Sequence, residues 1–182
     1  QEIDMWCYYN QADEVELFVN GKSQGVKCKD ADNLHVVWRV KFEPGTVKVV
    51  ARRKDEVIAE KEIRTAGKPA EIRLTPDRSV LAADGKDLCF VTVEVLDEEG
   101  NLCPNADNLV NFTVRGNGFI AGVDNGNPVS LERFKDKKRK AFYGKCLVVI
   151  QNDGKPGKTE LTATSEGLQQ AVVKVSAKDC KL

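Results

Sequence analysis

Residues 13–23, Asp-Glu-Val-Glu-Leu-Phe-Val-Asn-Gly-Lys-Ser, decide the fold class of this chain. Aliphatic residues at positions 15, 17 and 19 alternate with Glu14, Glu16 and Phe18. This period of two is typical of a β-strand with one buried face. The dipeptide Asn20-Gly21 follows at once, and it is the strongest short signal for a tight hairpin turn. The stretch therefore predicts a strand, a turn and a returning strand.

The same pattern recurs along the rest of the chain, with turn signals roughly every 8 to 12 residues. No segment of ten or more residues has a convincing helical period. Further strands are predicted near residues 25–27, 34–40, 47–52, 57–65, 70–74, 91–95, 109–114, 119–123, 146–150, 159–164 and 171–176. The sequence therefore predicts an all-β protein.

The segment Ala66-Gly67-Lys68-Pro69 interrupts the strand pattern and is typical of a short linker. It divides the chain into residues 1–66 and 67–182. We expect two tandem immunoglobulin-like antiparallel β-sandwiches, one on each side of the linker. The first is short for a sandwich, so we expect it to be trimmed or to cover part of its surface with a neighbour.

Composition and charge exclude several classes of protein. Hydrophobic residues make up 41% of the 182 residues and charged residues 31%, which is typical of a globular protein. Lys plus Arg equals Asp plus Glu at 28 each, so broad electrostatic binding of nucleic acid or anionic lipid is not expected. No apolar run approaches the roughly 18 residues of a membrane helix. The chain is also too short for an eight-stranded α/β barrel, which needs about 250 residues.

The cysteine and histidine pattern predicts neither a metal site nor a cofactor. No pair of Cys has the C-x-x-C spacing of zinc sites, and His35 is the single histidine. Buried free thiols are the favoured interpretation of the Cys residues, and one or more disulfides are the alternative. A catalytic pair of Cys with His35 is disfavoured, because His35 lies in a strand-like run. The six Cys are at positions 7, 28, 89, 103, 146 and 180.

Several strings of residues resemble a known family. Residues 13–23, with 38–40 (WRV) and 42–46 (FEPGT), resemble the β-sandwich that follows the catalytic barrel in β-galactosidases of glycoside hydrolase family 2. The second half is similar to the C-terminal sandwich of the same enzymes. The strings that carry this second resemblance are 72–78 (IRLTPDR), 83–88 (ADGKDL), 90–95 (FVTVEV), 123–128 (VDNGNP), 139–145 (RKAFYGK) and 161–165 (LTATS).

The resemblance implies a parent protein that hydrolyses terminal β-galactosides by a retaining mechanism, with two carboxylates about 5–5.5 Å apart. Both carboxylates belong to the barrel in this family, so we expect no catalytic residue in this chain. The start at Gln1, without Met or signal-peptide character, leads us to expect a piece of a longer chain. A periplasmic or secreted location would suit a polysaccharide-degrading parent.

The resemblance favours a non-catalytic accessory role, in which the chain packs against the barrel, shapes the active-site rim or supports oligomer contacts. The expected partner is the catalytic barrel of the same parent chain, and carbohydrate and a second copy are further candidates. A carbohydrate-binding module and a cell-surface adhesion tandem remain alternatives, since fold alone does not select a function.

Trp6 and Tyr8 are the first candidate site, because residues two positions apart in a strand share one face. Sugars stack on exposed aromatic rings, so this pair is a candidate carbohydrate contact. Core or interdomain packing is the favoured alternative. Trp38 is predicted to lie in the sandwich core.

The loop Asp124-Asn125-Gly126-Asn127-Pro128 is the second candidate site. Asp124, Asn125 and Asn127 are candidates for contact with sugar hydroxyls or a cation, although turn geometry is the favoured explanation of such residues. The basic run at 135–140 is predicted to be a solvated loop beside the start of a strand.

Overall fold

The computed structural model describes residues 1–30 and 32–179. These residues form fifteen β-strands and no α-helix, so no helix among them is long and apolar enough to cross a membrane. The strands are β1 (Glu2–Tyr8), β2 (Glu14–Val19), β3 (Lys22–Lys27), β4 (His35–Lys41), β5 (Thr46–Arg53), β6 (Glu56–Arg64), β7 (Glu71–Pro76), β8 (Val80–Ala82), β9 (Leu88–Leu96), β10 (Leu109–Gly116), β11 (Gly118–Asp124), β12 (Lys138–Lys140), β13 (Lys145–Asn152), β14 (Gly157–Thr164) and β15 (Ala171–Lys178). The prediction of an all-β chain is confirmed.

The chain divides into two compact units, Gln1–Thr65 and Ala66–Leu182. In the first unit, β1 pairs with β4, and a four-stranded sheet has the order β3-β2-β5-β6. Alternate residues of β2 and β4 are buried, as the period-two pattern predicts. Trp38 lies in this core, as predicted, and its indole N–H donates to the carbonyl of Gly25 at 3.1 Å. The buried residues of this core are Val15, Leu17, Val19, Val36, Trp38, Val40 and Ala51.

The second unit also has two sheets, with the orders β12-β10-β14-β15-β8 and β11-β13-β9-β7. Neighbouring strands are antiparallel except β15 and β8. The predicted immunoglobulin-like sandwich architecture is confirmed. Its main core contains Ile72, Leu81, Cys89, Val91, Val93, Val110, Phe112, Val123, Cys146, Val148, Ile150, Leu161, Ala163, Val175 and Ala177.

Asn20 and Gly21 form the predicted turn between β2 and β3. Their φ angles are 49° and 76°, the left-handed values that a two-residue hairpin turn requires. The Asn20 side chain also accepts a hydrogen bond from the Thr46 amide at 2.8 Å and donates to the Pro44 carbonyl at 3.1 Å. The dipeptide therefore closes a hairpin and ties it to the start of β5.

The five Cys within the described residues are free thiols, and Cys180 lies outside those residues. Cys89, Cys103 and Cys146 are buried, and burial raises the pKa of Cys89 to about 11 and that of Cys146 to about 12. Such thiols behave as small hydrophobic side chains. Cys7 and Cys28 differ from the predicted burial, because Cys7 is half-buried on the inner face of β1 and Cys28 is exposed.

Candidate functional site

Trp6 and Tyr8 project from the outer face of β1, because Ile3, Met5 and Cys7 point towards the core of the first unit. The exposed fractions of Trp6 and Tyr8 are 56% and 66%. The two rings therefore share one face of a strand, as expected, but they are exposed and do not pack in the core of the first unit, which corrects the favoured alternative of core packing. Their contact with carbohydrate stays a prediction.

His35 completes a cluster with these two rings, which we call the aromatic face. In the pairing of β1 with β4, Tyr8 lies opposite His35. The ring centroids of Trp6 and His35 are 4.5 Å apart, and those of Tyr8 and His35 are 5.1 Å apart. The planes of Trp6 and Tyr8 differ by 23°. The sequence did not assign His35 to this site, because the register that places it opposite Tyr8 is a long-range property.

An ion pair between Asp4 and Arg39 lies on the same side of the two-stranded sheet. The Arg39 Nε and Nη2 atoms donate to the two carboxylate oxygens at 2.8 Å and 2.9 Å. The hydrogen bond from Arg39 lowers the pKa of the Asp4 carboxyl. The aromatic face thus offers flat apolar surface next to fixed donors and acceptors, which suits either a sugar ring or another protein surface.

The three side-chain Oδ1 atoms of the loop at 124–128 accept hydrogen bonds from nearby backbone amides. Asp124 Oδ1 accepts from the backbone amides of Asn125 at 2.7 Å and Gly126 at 3.3 Å. Asn125 Oδ1 accepts from the amide of Asn127 at 3.1 Å, and Asn127 Oδ1 accepts from the amide of Val129 at 3.1 Å. These bonds are the turn geometry that the favoured interpretation of the loop expects. Contact of Asp124, Asn125 and Asn127 with sugar stays a prediction.

Arg139 corrects the prediction that the run at 135–140 is wholly solvated. Its side chain is 1% exposed, because β12 pairs with β10 and places Arg139 opposite buried Val110. The guanidinium donates to Asn125 Oδ1 at 2.9 Å, to Asp124 Oδ1 at 3.3 Å and to the Glu132 carbonyl at 3.1 Å. Arg139 therefore holds the candidate loop in place through hydrogen bonds from a buried position. The sequence gives no sign of this burial, because Arg139 lies among other charged residues and no hydrophobic residue marks the buried face of the strand.

Six carboxyl groups in the described part of the chain have a pKa that departs clearly from its ordinary value. Within the described residues, every carboxyl whose pKa departs clearly from its ordinary value has a lowered one. The strongest case is Asp97, where a hydrogen bond from the Gly67 amide, helped by others from Asn101 and Glu99, lowers the pKa to about 2. The same residues contain no group of three or more His, Cys, Asp or Glu side chains that could hold a metal ion.

Comparisons with known proteins cover almost the whole chain. Residues 72–174 match the glycoside hydrolase family 2 C-terminal domain 5, and residues 1–59 match a domain of unknown function, DUF4982. The chain is 87% identical to the β-galactosidase BoGH2A of Bacteroides ovatus over 98% of its own length and 21% of that protein.

Solved structures agree with these matches. A glycosyl hydrolase family 2 member from Bacteroides cellulosilyticus matches 98% of the chain, with a TM-score of 0.90 and 33% identity, over 23% of its own chain. A β-glycosidase from Bacteroides vulgatus matches 97% of the chain, with a TM-score of 0.91 and 28% identity, over 22% of its own chain. The chain thus spans about a fifth of the length of each relative. With its second unit matching the family's C-terminal domain 5, the chain belongs to glycoside hydrolase family 2.

Proposed function

We propose that this chain is a non-catalytic accessory part of a β-galactosidase-like hydrolase, which cleaves β-galactosides in a barrel outside these 182 residues. The observation that carries the proposal is the 87% identity to a β-galactosidase of which the chain spans only 21%. The accessory role is to support the catalytic barrel, the active-site rim or oligomer contacts.

The chemistry of the acids supports this proposal. Retaining glycoside hydrolysis uses one carboxyl that stays protonated as a general acid, and an apolar site raises the pKa of such a group. Asp97 is the most strongly shifted carboxyl among the described residues, and its pKa is lowered by hydrogen bonds instead. It is equipped to hold a turn rather than to donate a proton.

The aromatic face is the part of the first unit best suited to contact the barrel. Exposed Trp and Tyr are enriched in the centres of protein interfaces, since they bury large area with few rotatable bonds. Here the two rings are already fixed against His35, so little side-chain entropy is lost on docking.

This role can be tested in a chimera in which these 182 residues replace the matching segment of the Bacteroides ovatus relative. We expect the double substitution Trp6→Ala with Tyr8→Ala to lower the melting temperature of the chimera but not that of the isolated chain. The control Val129→Ala removes an exposed side chain from the second unit and should change neither. Equal effects of the double substitution on both proteins would contradict docking through the aromatic face.

Carbohydrate contact is a second candidate function of the same face. It is favoured by the exposure of the Trp6 and Tyr8 rings, whose centroids lie 6.4 Å apart and whose planes differ by 23°. Galactose, lactose or a galactan should then change the fluorescence of the chain, and Trp6→Phe should abolish the change. An unchanged spectrum at millimolar sugar would exclude this candidate. The loop at 124–128 belongs to the second unit and is a separate candidate, in which Asp124, Asn125 and Asn127 would contact sugar through the atoms that the loop leaves unused.

A further inference from the structure

The sandwich of the first unit is open along one side. Two strands, β1 and β4, face a sheet of four strands, so part of that sheet lacks a covering layer. All nine residues of β6 are exposed. In the register with β5, Ile63 lies opposite Val47 and Ala59 opposite Ala51, on the face that packs into the core. Ile63 is nevertheless 57% exposed.

The open side is a groove between β1 and β6. A cavity of about 350 Å³ is lined by Met5, Cys7, Val49, Ala59 and Ile63, among others. A second cavity of about 110 Å³ is lined by Ile3 and Val19, among others, and shares Met5, Val47 and Ile63 with the first. The inner residues of β1 are accordingly half-buried, whereas those of β4 are buried. The groove therefore follows the length of β1.

The edge of β1 that faces away from β4 carries unpaired backbone groups. The Phe42 amide donates to the Gln1 carbonyl at 2.9 Å. Gln1 and Phe42 lie opposite each other when the register is extended by one residue, so they form a hydrogen-bonded pair. Hydrogen-bonded and non-hydrogen-bonded pairs alternate along an antiparallel pair of strands. The backbone N–H and C=O groups of Asp4, Trp6 and Tyr8 therefore point away from β4. Among the described residues, β1 pairs with no strand other than β4. The strand also contains no Lys or Pro, the residues that commonly protect an edge from pairing.

We propose that a β-strand from the part of the hydrolase polypeptide outside these 182 residues pairs with the free edge of β1 and covers the inner face of β6. The seven residues of β1 offer an edge of about 23 Å to this strand. Apolar side chains at alternate positions would fill the groove, and an acidic residue would meet Lys61, which lines it.

This occupant fits the molecule better than a second copy. The relatives contain about four-fifths of their length outside the region that the chain matches, which provides ample chain to supply a strand. A second copy would have to dock through its own β1. That strand is already paired with β4 and lies over its own four-stranded sheet, so the copy would bring more than one strand to a groove that lacks a single strand. The inference goes beyond the accessory role, because that role requires only docking and not a shared sheet.

The first test measures thiol reactivity at two matched positions of β6. Ile63→Cys places a thiol in the groove, and Glu62→Cys places one on the opposite face, because Glu62 pairs with Lys48; both side chains are exposed in the chain. In the isolated chain, a bulky maleimide should label both thiols at similar rates, and peptide mass spectrometry measures the labelling at each position. In the chimera, labelling at position 63 should slow by about tenfold or more, while labelling at position 62 stays within about twofold. Equal labelling of position 63 in both proteins would overturn the proposal, as would slowing at both positions.

The second test separates strand pairing from simple coverage. Hydrogen exchange at the amides of Asp4, Trp6 and Tyr8 should be fast in the isolated chain and slow in the chimera, whereas Met5 and Cys7 should be protected in both. A covered groove with fast exchange at the three amides would refute a shared sheet. Protection in the isolated chain that increases with concentration would assign the groove to a second copy and overturn the proposal. Neither readout depends on hydrolase activity, so failure here leaves the accessory role standing.

Discussion

At the scale of single residues, Arg139 holds the loop between β11 and β12 in place. We expect Arg139→Met to lower the free energy of unfolding by about 3 kcal/mol, at the lower end of the range for breaking a buried ion pair. The loss stays at that end because the carboxylates of Asp124 and Glu132 are partly exposed and can regain water. Urea unfolding measures the change. The exposed neighbour Lys138 gives the control, and a loss as large for Lys138→Met would contradict the bracing role.

Asp97 makes stability depend on acid pH. Its pKa is lowered from 3.8 to about 2, so its contribution is fully present above about pH 4 and is lost as pH falls through 2. We expect Asp97→Asn to reduce the number of protons taken up on unfolding in that range by about one. Unfolding measured at a series of acid pH values tests this. An unchanged pH dependence would show that the hydrogen bonds from Gly67, Glu99 and Asn101 do not stabilise the charged form.

Sequence reasoning at this scale succeeded where strand parity alone decides the outcome. It placed Trp6 and Tyr8 on one face of a strand and Trp38 in the core, because each lies in a regular alternation, but it favoured packing over exposure for Trp6 and Tyr8. It missed His35 and Arg139, whose roles arise from pairing between strands far apart in the sequence. A charged residue at a buried strand position gives no hydrophobic signal.

At the scale of elements, the turn Tyr143-Gly144 connects Phe142 to Lys145, and these two residues form an antiparallel β-bridge. Both turn residues have left-handed φ angles, 50° and 75°, and a Cβ on Gly144 would collide with the carbonyl oxygen of Cys103. We expect Gly144→Ala to cost about 3 kcal/mol or more. Gly167→Ala is the matched control, since its φ is 74° and its Cβ would meet open space; we expect about 1 kcal/mol there. Similar losses in urea unfolding would contradict the importance of the close contact.

The strands themselves were largely predictable, but their partners were not. Alternation predicted β2, β4 and β9, which have one buried and one more exposed face. The strand β6 was also predicted, yet its exposure on both faces depends on the missing layer opposite it. Local pattern carries no information on which strand lacks a neighbour.

At the scale of the whole molecule, the two units differ in how well each closes its core. The main core of the second unit contains fifteen buried residues and that of the first contains seven. We therefore expect residues 66–182 to unfold cooperatively when produced alone, and residues 1–65 to be much less stable alone. Calorimetry of the two pieces measures this. A first piece as stable as the second would contradict the account of an open sandwich.

The central claim is that catalysis lies outside this chain, and hydrolysis of a chromogenic β-galactoside tests it most directly. We expect the purified 182-residue chain to release no chromophore above the uncatalysed rate, and the chimera that contains it to turn over the same substrate. Turnover by the isolated chain that follows the protein through purification would contradict the claim.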